Sequence, residues 1–246
     1  MKMFDRAEPN RKSAFIRSKK VEKSYQRQLL KVASHIGDIV ARYGGKPERS
    51  DAMSAALERY ARAIEPWSRS VAARMVAEID ARDRASWREL GKSLSAGLRE
   101  ELQSPTGTVV NSLIDEQVYL ITSMPLNAAK RVQKLAMETM LGGARPDSIF
   151  DAIMKAGDVS RSSAKLIART EVGRVTVAFT QARATRIGSE GYIWRTSRKK
   201  NVRHSHGMME GKFVRWDQPP TLDGLTGHAG ALPNCHCYPE VVFPDS

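Results

Sequence analysis

Apolar residues recur at spacings of three and four through the first hundred positions. Val21, Tyr25, Leu29, Val32 and Ile36 form one stripe, which predicts a helix closing near Gly44-Gly45-Lys46-Pro47. Ser50 is placed to cap a second helix, in which Met53, Leu57, Tyr60 and Ile64 repeat at helical spacing until Pro66. A third stripe, Val71, Met75, Ile79, Trp87, Leu90, Leu94 and Leu98, predicts a helix from about Ser70 to Leu102 with a break near Asp83. Ser104-Pro105-Thr106-Gly107 reads as a turn and as a domain boundary.

Beyond that turn the apolar residues are denser. Leu113, Ile114, Val118, Leu120 and Ile121 lead to Met124-Pro125, and a helix is expected from about Asn127 to Leu141, stopped by Gly142-Gly143. Pro146 opens another, ending near Gly157. Ser160 is the expected cap of a long helix from Ser162 to Ile187, closed by Gly188. After Gly191 the period shortens to two: Tyr192, Trp194 and Thr196 alternate with Ile193 and Arg195 as in a strand. Further strands are expected over 212–216 and 238–243, with a glycine- and proline-rich loop over 218–233. The fold class is therefore α+β, a helical region over 1–105 followed by a small α+β domain over 106–246.

Charge adds a partner class. Forty Lys and Arg against 27 Asp and Glu give a net charge of +13, which favours polyanions or acidic surfaces. The bases cluster: eight basic and three acidic residues lie in 1–24, and five bases with no acid lie in 195–203. Neither cluster has interleaved aromatics, so contact with nucleic acid is expected at phosphates, through Lys19, Lys20, Arg198, Lys199 and Lys200, without sequence preference. Two solvated surfaces are the alternative reading. No apolar run reaches the roughly 20 residues of a membrane span, and the opening residues do not read as a secretion signal.

Leu166-Ile167-Ala168-Arg169-Thr170-Glu171-Val172, then Trp194, Arg203-x-x-His206, Gly211 and Cys235-x-Cys237, resemble in order and spacing the Mu F-like phage head morphogenesis family. Val118 to Pro125 and Ser160 to Ala164 resemble its entry segment and a helix start, so the likeness runs from about Asn111 to Phe243. It implies a minor head protein that acts in the virion rather than as an enzyme. The implied partners are the portal protein or the major capsid protein, and packaged DNA, with host cytoplasm as the place of assembly. Two departures stand out: Lys199-Lys200-Asn201-Val202 replaces the acidic residue expected before the Arg-x-x-His step, and His204 adds a second histidine.

The only two cysteines lie in Cys235-His236-Cys237, where a disulfide between them would be strained and thiolate ligation of a metal would not. On extended segments, His204 and His206 would share one face and Cys235 and Cys237 another. These four are the expected set for one structural zinc ion, with His228, or His236 if the backbone turns, in place of His204. Packing without metal is the alternative. Arg169, Thr170, Glu171 and Arg203 are expected to form a structural polar network, with Glu171 pairing to Lys165, Arg174 or the Arg203 segment. Other readings are a basic DNA-binding or DNA-processing protein and a metal-dependent phosphodiesterase using Glu171 as general base.

Overall fold

In a computed structural model of the chain, the described residues are 15–44, 46–91, 107–140, 151–197 and 202–243. Five helices, α1 (Lys19–Arg42), α2 (Ser50–Ala63), α3 (Glu65–Gly91), α4 (Gly107–Met140) and α5 (Ala156–Arg186), account for most of them. Strand β1 (Gly191–Arg195), a single turn α6 (His204–Gly207), β2 (Phe213–Arg215), β3 (Thr221–Leu222), β4 (Leu225–Thr226) and β5 (Tyr238–Val241) follow. The α+β class is as expected.

Helix boundaries moved where local signals met tertiary packing. Ser50 is the first helical residue rather than the cap, because a 3-10 turn at Pro47–Arg49 feeds directly into α2 and Arg49 takes the cap position. No break occurs at Asp83, since α3 runs through it. Pro125 lies inside α4. Its ring removes one amide donor, a cost of about 3 kcal/mol in an exposed helix. Burial of Val118, Ile121, Met124, Ala128 and Val132 on either side outweighs that cost, while the Thr122 and Ser123 hydroxyls bond back to the carbonyls of Val118 and Leu120 at 2.9 and 2.8 Å. Ser160 caps nothing either: α5 starts at Ala156, and the Ser160 hydroxyl donates to the Ala156 carbonyl at 2.8 Å. The turn expected at 104–106, the stop at Gly142-Gly143 and the helix start at Pro146 lie outside the described residues.

Two compact units emerge, each assembled from segments on both sides of residue 106. One contains Lys23–Arg74 and Ile114–Ala168. Its core includes Leu29, Ile36, Met53, Leu57, Ile121 and Val132, and a Cβ added to Gly157 would stand 3.0 Å from Gly37 Cα, so two helices touch by backbone there. Tyr25 donates to Gln117 Oε1 at 3.0 Å inside that core.

The other unit contains Met1–Glu22, Met75–Leu113 and Arg169–Ser246. Its sheet has the order β2-β1-β5, antiparallel throughout, with Tyr192 opposite both Val214 and Val241. Phe15 packs edge-on against Trp87, and Trp87 against Phe243, so three distant segments share one apolar cluster. A second polar feature lies within this unit: Arg183, almost fully buried, donates to Asp80 at 2.7 Å and to Asp83 at 2.5 Å. Burial pushes the Asp83 carboxyl up to about 6 against the pull of Arg183. The loop after β2 holds a hairpin the periodicity did not predict, β3 paired with β4 across Asp223-Gly224, both at positive φ.

Candidate metal centre

Strand β1 is the platform. Trp194 on β1 is fully buried, and its indole meets the His206 ring edge-on, centroids 5.5 Å apart and planes at 89°. The segment carrying His206 returns to the sheet through Gly211, at φ 78°, whose amide donates to the Trp194 carbonyl at 2.9 Å. On the other side, a turn through Asn234 leads Cys235 and Cys237 into β5, beside β1. Gly230 in the preceding loop has φ 90°, and the Gly173 Cα faces its carbonyl so closely that a Cβ would stand 2.5 Å from the oxygen.

His206 Nδ1 thus lies 3.4 Å from Cys235 Sγ and 3.7 Å from Cys237 Sγ, and all three side chains are buried. Their ligand atoms fall within 4.8 Å of one another, and among the described residues no other group of three His, Cys, Asp or Glu does so. The Cys237 amide donates to Cys235 Sγ at 3.4 Å. That sulfur is held down to about 5, first by the hydrogen bond from the Cys237 thiol and then by backbone amides and His206, while the same contact drives Cys237 up.

The other expected ligands are elsewhere. His204 is exposed, because residues 204–207 form a helical turn on which positions two apart point in nearly opposite directions; the shared face expected for an extended segment does not exist. His228 is buried against Tyr192 and Trp216, with Nδ1 3.2 Å from the Tyr192 hydroxyl, and burial lowers its pKa. His236 Nδ1 accepts from Arg17 at 3.0 Å.

The expected network of Arg169, Thr170, Glu171 and Arg203 divides into separate contacts. Arg203 donates to the Pro233 carbonyl at 2.7 Å and lies 3.4 Å from His206 Nε2. Glu171 pairs with Arg174 at 2.8 Å, one helical turn on, which was among the anticipated partners. Arg169 reaches Asn234 Oδ1 at 3.2 Å and Glu22 at 3.8 Å. Thr170 Oγ1 is buried with no hydrogen-bond partner.

Sequence reasoning missed Arg17 altogether. Its guanidinium donates to the carbonyls of Cys235 and Arg169 at 3.1 Å each, and its Nε lies 3.0 Å from Glu22. A lone arginine among eight bases carries no signal of such a role.

Of the phosphate-contact candidates, Lys19 and Lys20 are exposed at the start of α1, and Arg198, Lys199 and Lys200 lie outside the described residues. The same face of α1 continues with exposed Lys23, Arg27 and Lys31, four residues apart. Among the described residues no helix is long and apolar enough to cross a membrane.

The buried Cys-x-Cys and histidine set against a short antiparallel sheet falls within residues 130–239, which match the family described as Phage Mu protein F like protein. Over these residues the chain is similar to that family, as the resemblance read from the sequence implies. Over 89% of its length the chain is also 28% identical to an uncharacterized protein of Haemophilus influenzae (strain ATCC 51907 / DSM 11121 / KW20 / Rd), and it spans 53% of that relative. No solved structure matches it.

Proposed function

We propose that this chain is a phage minor head protein acting in head morphogenesis, joined to the portal or major capsid protein in the procapsid while it assembles in the host cytoplasm. The observation that carries this reading is the Mu F-like match over residues 130–239, which includes β1, β2, the start of β5 and all three members of the buried thiol and imidazole cluster. A non-enzymatic role fits the placement of Glu171. The hydrolase reading needs that carboxylate free as a base, and it is instead committed to Arg174.

Packaged DNA is the further partner in this reading. Lys19, Lys20, Lys23, Arg27 and Lys31 crowd one exposed helix face, and like charges four residues apart disfavour a helix unless an anion offsets them. Phosphates along a nucleic-acid backbone would do so. Tagged protein expressed during infection should recover the portal or major capsid protein from lysates, and purified heads should contain the chain in few copies. Recovery of neither partner, together with absence from heads, would overturn the assignment.

A further inference from the structure

We propose that, among the described residues, His206, Cys235 and Cys237 supply the protein ligands of one zinc ion, through Nδ1 and the two Sγ atoms. The inference is independent of the head-protein reading and can fail without it.

Geometry is the first support. With zinc–sulfur and zinc–nitrogen bonds of about 2.3 and 2.05 Å and tetrahedral angles, a nitrogen and a sulfur on one ion stand about 3.6 Å apart. The two separations here are 3.4 and 3.7 Å. Valence is the second. A ring nitrogen offers one in-plane lone pair or one N–H, so by hydrogen bonding it serves only one of the two sulfurs that stand beside it. An ion between the three atoms takes all of them. The chemistry of the set is the third: two thiolates and an imidazole are soft and borderline donors suited to zinc.

Placement explains what the ion would do. Residues 206 and 235 are joined through a segment whose strands are only two or three residues long, and β5 is an edge strand of a three-stranded sheet. Metal would close that loop onto the Trp194 platform and stabilise a small sheet. A metal-free arrangement uses the same atoms, with Nδ1–H donating to the Cys235 sulfur and Nε2 accepting from Arg203. Zinc ligation reverses that tautomer, so Arg203 must shift its contact to the Pro233 carbonyl alone.

The test uses the whole chain purified without chelator. Elemental analysis should find close to one zinc per chain, and zinc-edge X-ray absorption should find two sulfurs near 2.3 Å with lighter donors near 2.0 Å. Exchange with cobalt(II) should give thiolate charge-transfer absorption and tetrahedral ligand-field bands. The Cys235→Ser/Cys237→Ser variant should lose the ion, and His206→Ala should bind it at least tenfold more weakly. His204→Ala and His228→Ala should retain stoichiometry and affinity within twofold. Wild-type protein that neither carries zinc nor takes up cobalt with a sulfur signature overturns the proposal, whether or not the cysteine variant folds. Loss of metal in His204→Ala or His228→Ala would overturn the three-residue set.

Discussion

Arg17 donates to the carbonyl oxygen of Cys235 at 3.1 Å, closing a span of 218 residues with one hydrogen bond. Every nitrogen of that guanidinium is engaged, by Glu22, by the carbonyls of Arg169 and Cys235, and by His236. Removing it takes the donor from three acceptors and leaves the Glu22 carboxylate to Arg169 at 3.8 Å. Arg17→Ala should lower unfolding free energy by about 2–3 kcal/mol and speed the reaction of Cys235 with a thiol reagent. Arg17→Lys should not rescue either property, because an ammonium cannot reproduce the fork. Denaturant titration and thiol kinetics on both variants check this.

Arg183 pairs with Asp83 and shares Asp80 with Arg84. Arg183→Ala leaves two carboxylates in a dry environment and should cost about 3–5 kcal/mol, measured by denaturant unfolding.

The same site predicts a pH dependence. Asp83 has its folded pKa raised to about 6 from 3.8, so the native state holds a proton that the unfolded chain releases. Its contribution to stability is full below about pH 4 and is lost as pH rises through 6. Between pH 4 and 6.5 the wild type should therefore lose stability relative to Asp83→Asn. A difference between the two that stays flat across this window would refute the assignment.

Gly173 is a packing requirement. A Cβ there would stand 2.5 Å from the Gly230 carbonyl oxygen, and neither backbone can yield without displacing α5 or the loop that leads to Cys235. Gly173→Ala should cost about 1–3 kcal/mol despite the better helix propensity of alanine. Gly44→Ala is the control: its φ is 61° but nothing lies within 4 Å, so only backbone strain is expected. Thermal melts of the two variants separate crowding from strain.

The basic face of α1 makes the fourth site testable. If Lys23, Arg27 and Lys31 each neutralise one phosphate, replacing all three by glutamine should reduce the slope of log affinity against log salt by about 2.7. Filter binding on duplexes of unrelated sequence should give the same slope for each. An unchanged slope would remove DNA from this face.

What the sequence made legible follows from the range of the interactions. The α1 stripe and the strands at 191–195, 213–215 and 238–241 were readable because periodicity is local. Pro125 and Ser50 misled for the complementary reason: each is a strong local signal, and long-range packing of α4 or a preceding 3-10 turn overrode it. In the candidate site, the Cys-x-Cys pair and His206 were legible from spacing. His204 was not, because its exclusion depends on one helical turn replacing an extended segment. Arg17 and the Asp80, Asp83 and Arg183 group carry no sequence mark, since their partners come from distant segments. Asp223-Gly224 was readable as a hairpin turn and went unused among the other glycines of its loop.

The aromatic contact from Phe15 through Trp87 to Phe243 also sets a timetable. At roughly 5–20 residues per second, a ribosome needs on the order of ten to fifty seconds to travel from the first of these rings to the last. Throughout that interval Phe15, and from position 87 onward Trp87 as well, has no Phe243 to receive it. Until then these rings stay exposed unless they are buried in transient contacts. Slowing translation late in the message should accordingly reduce the soluble yield more than the same delay placed early.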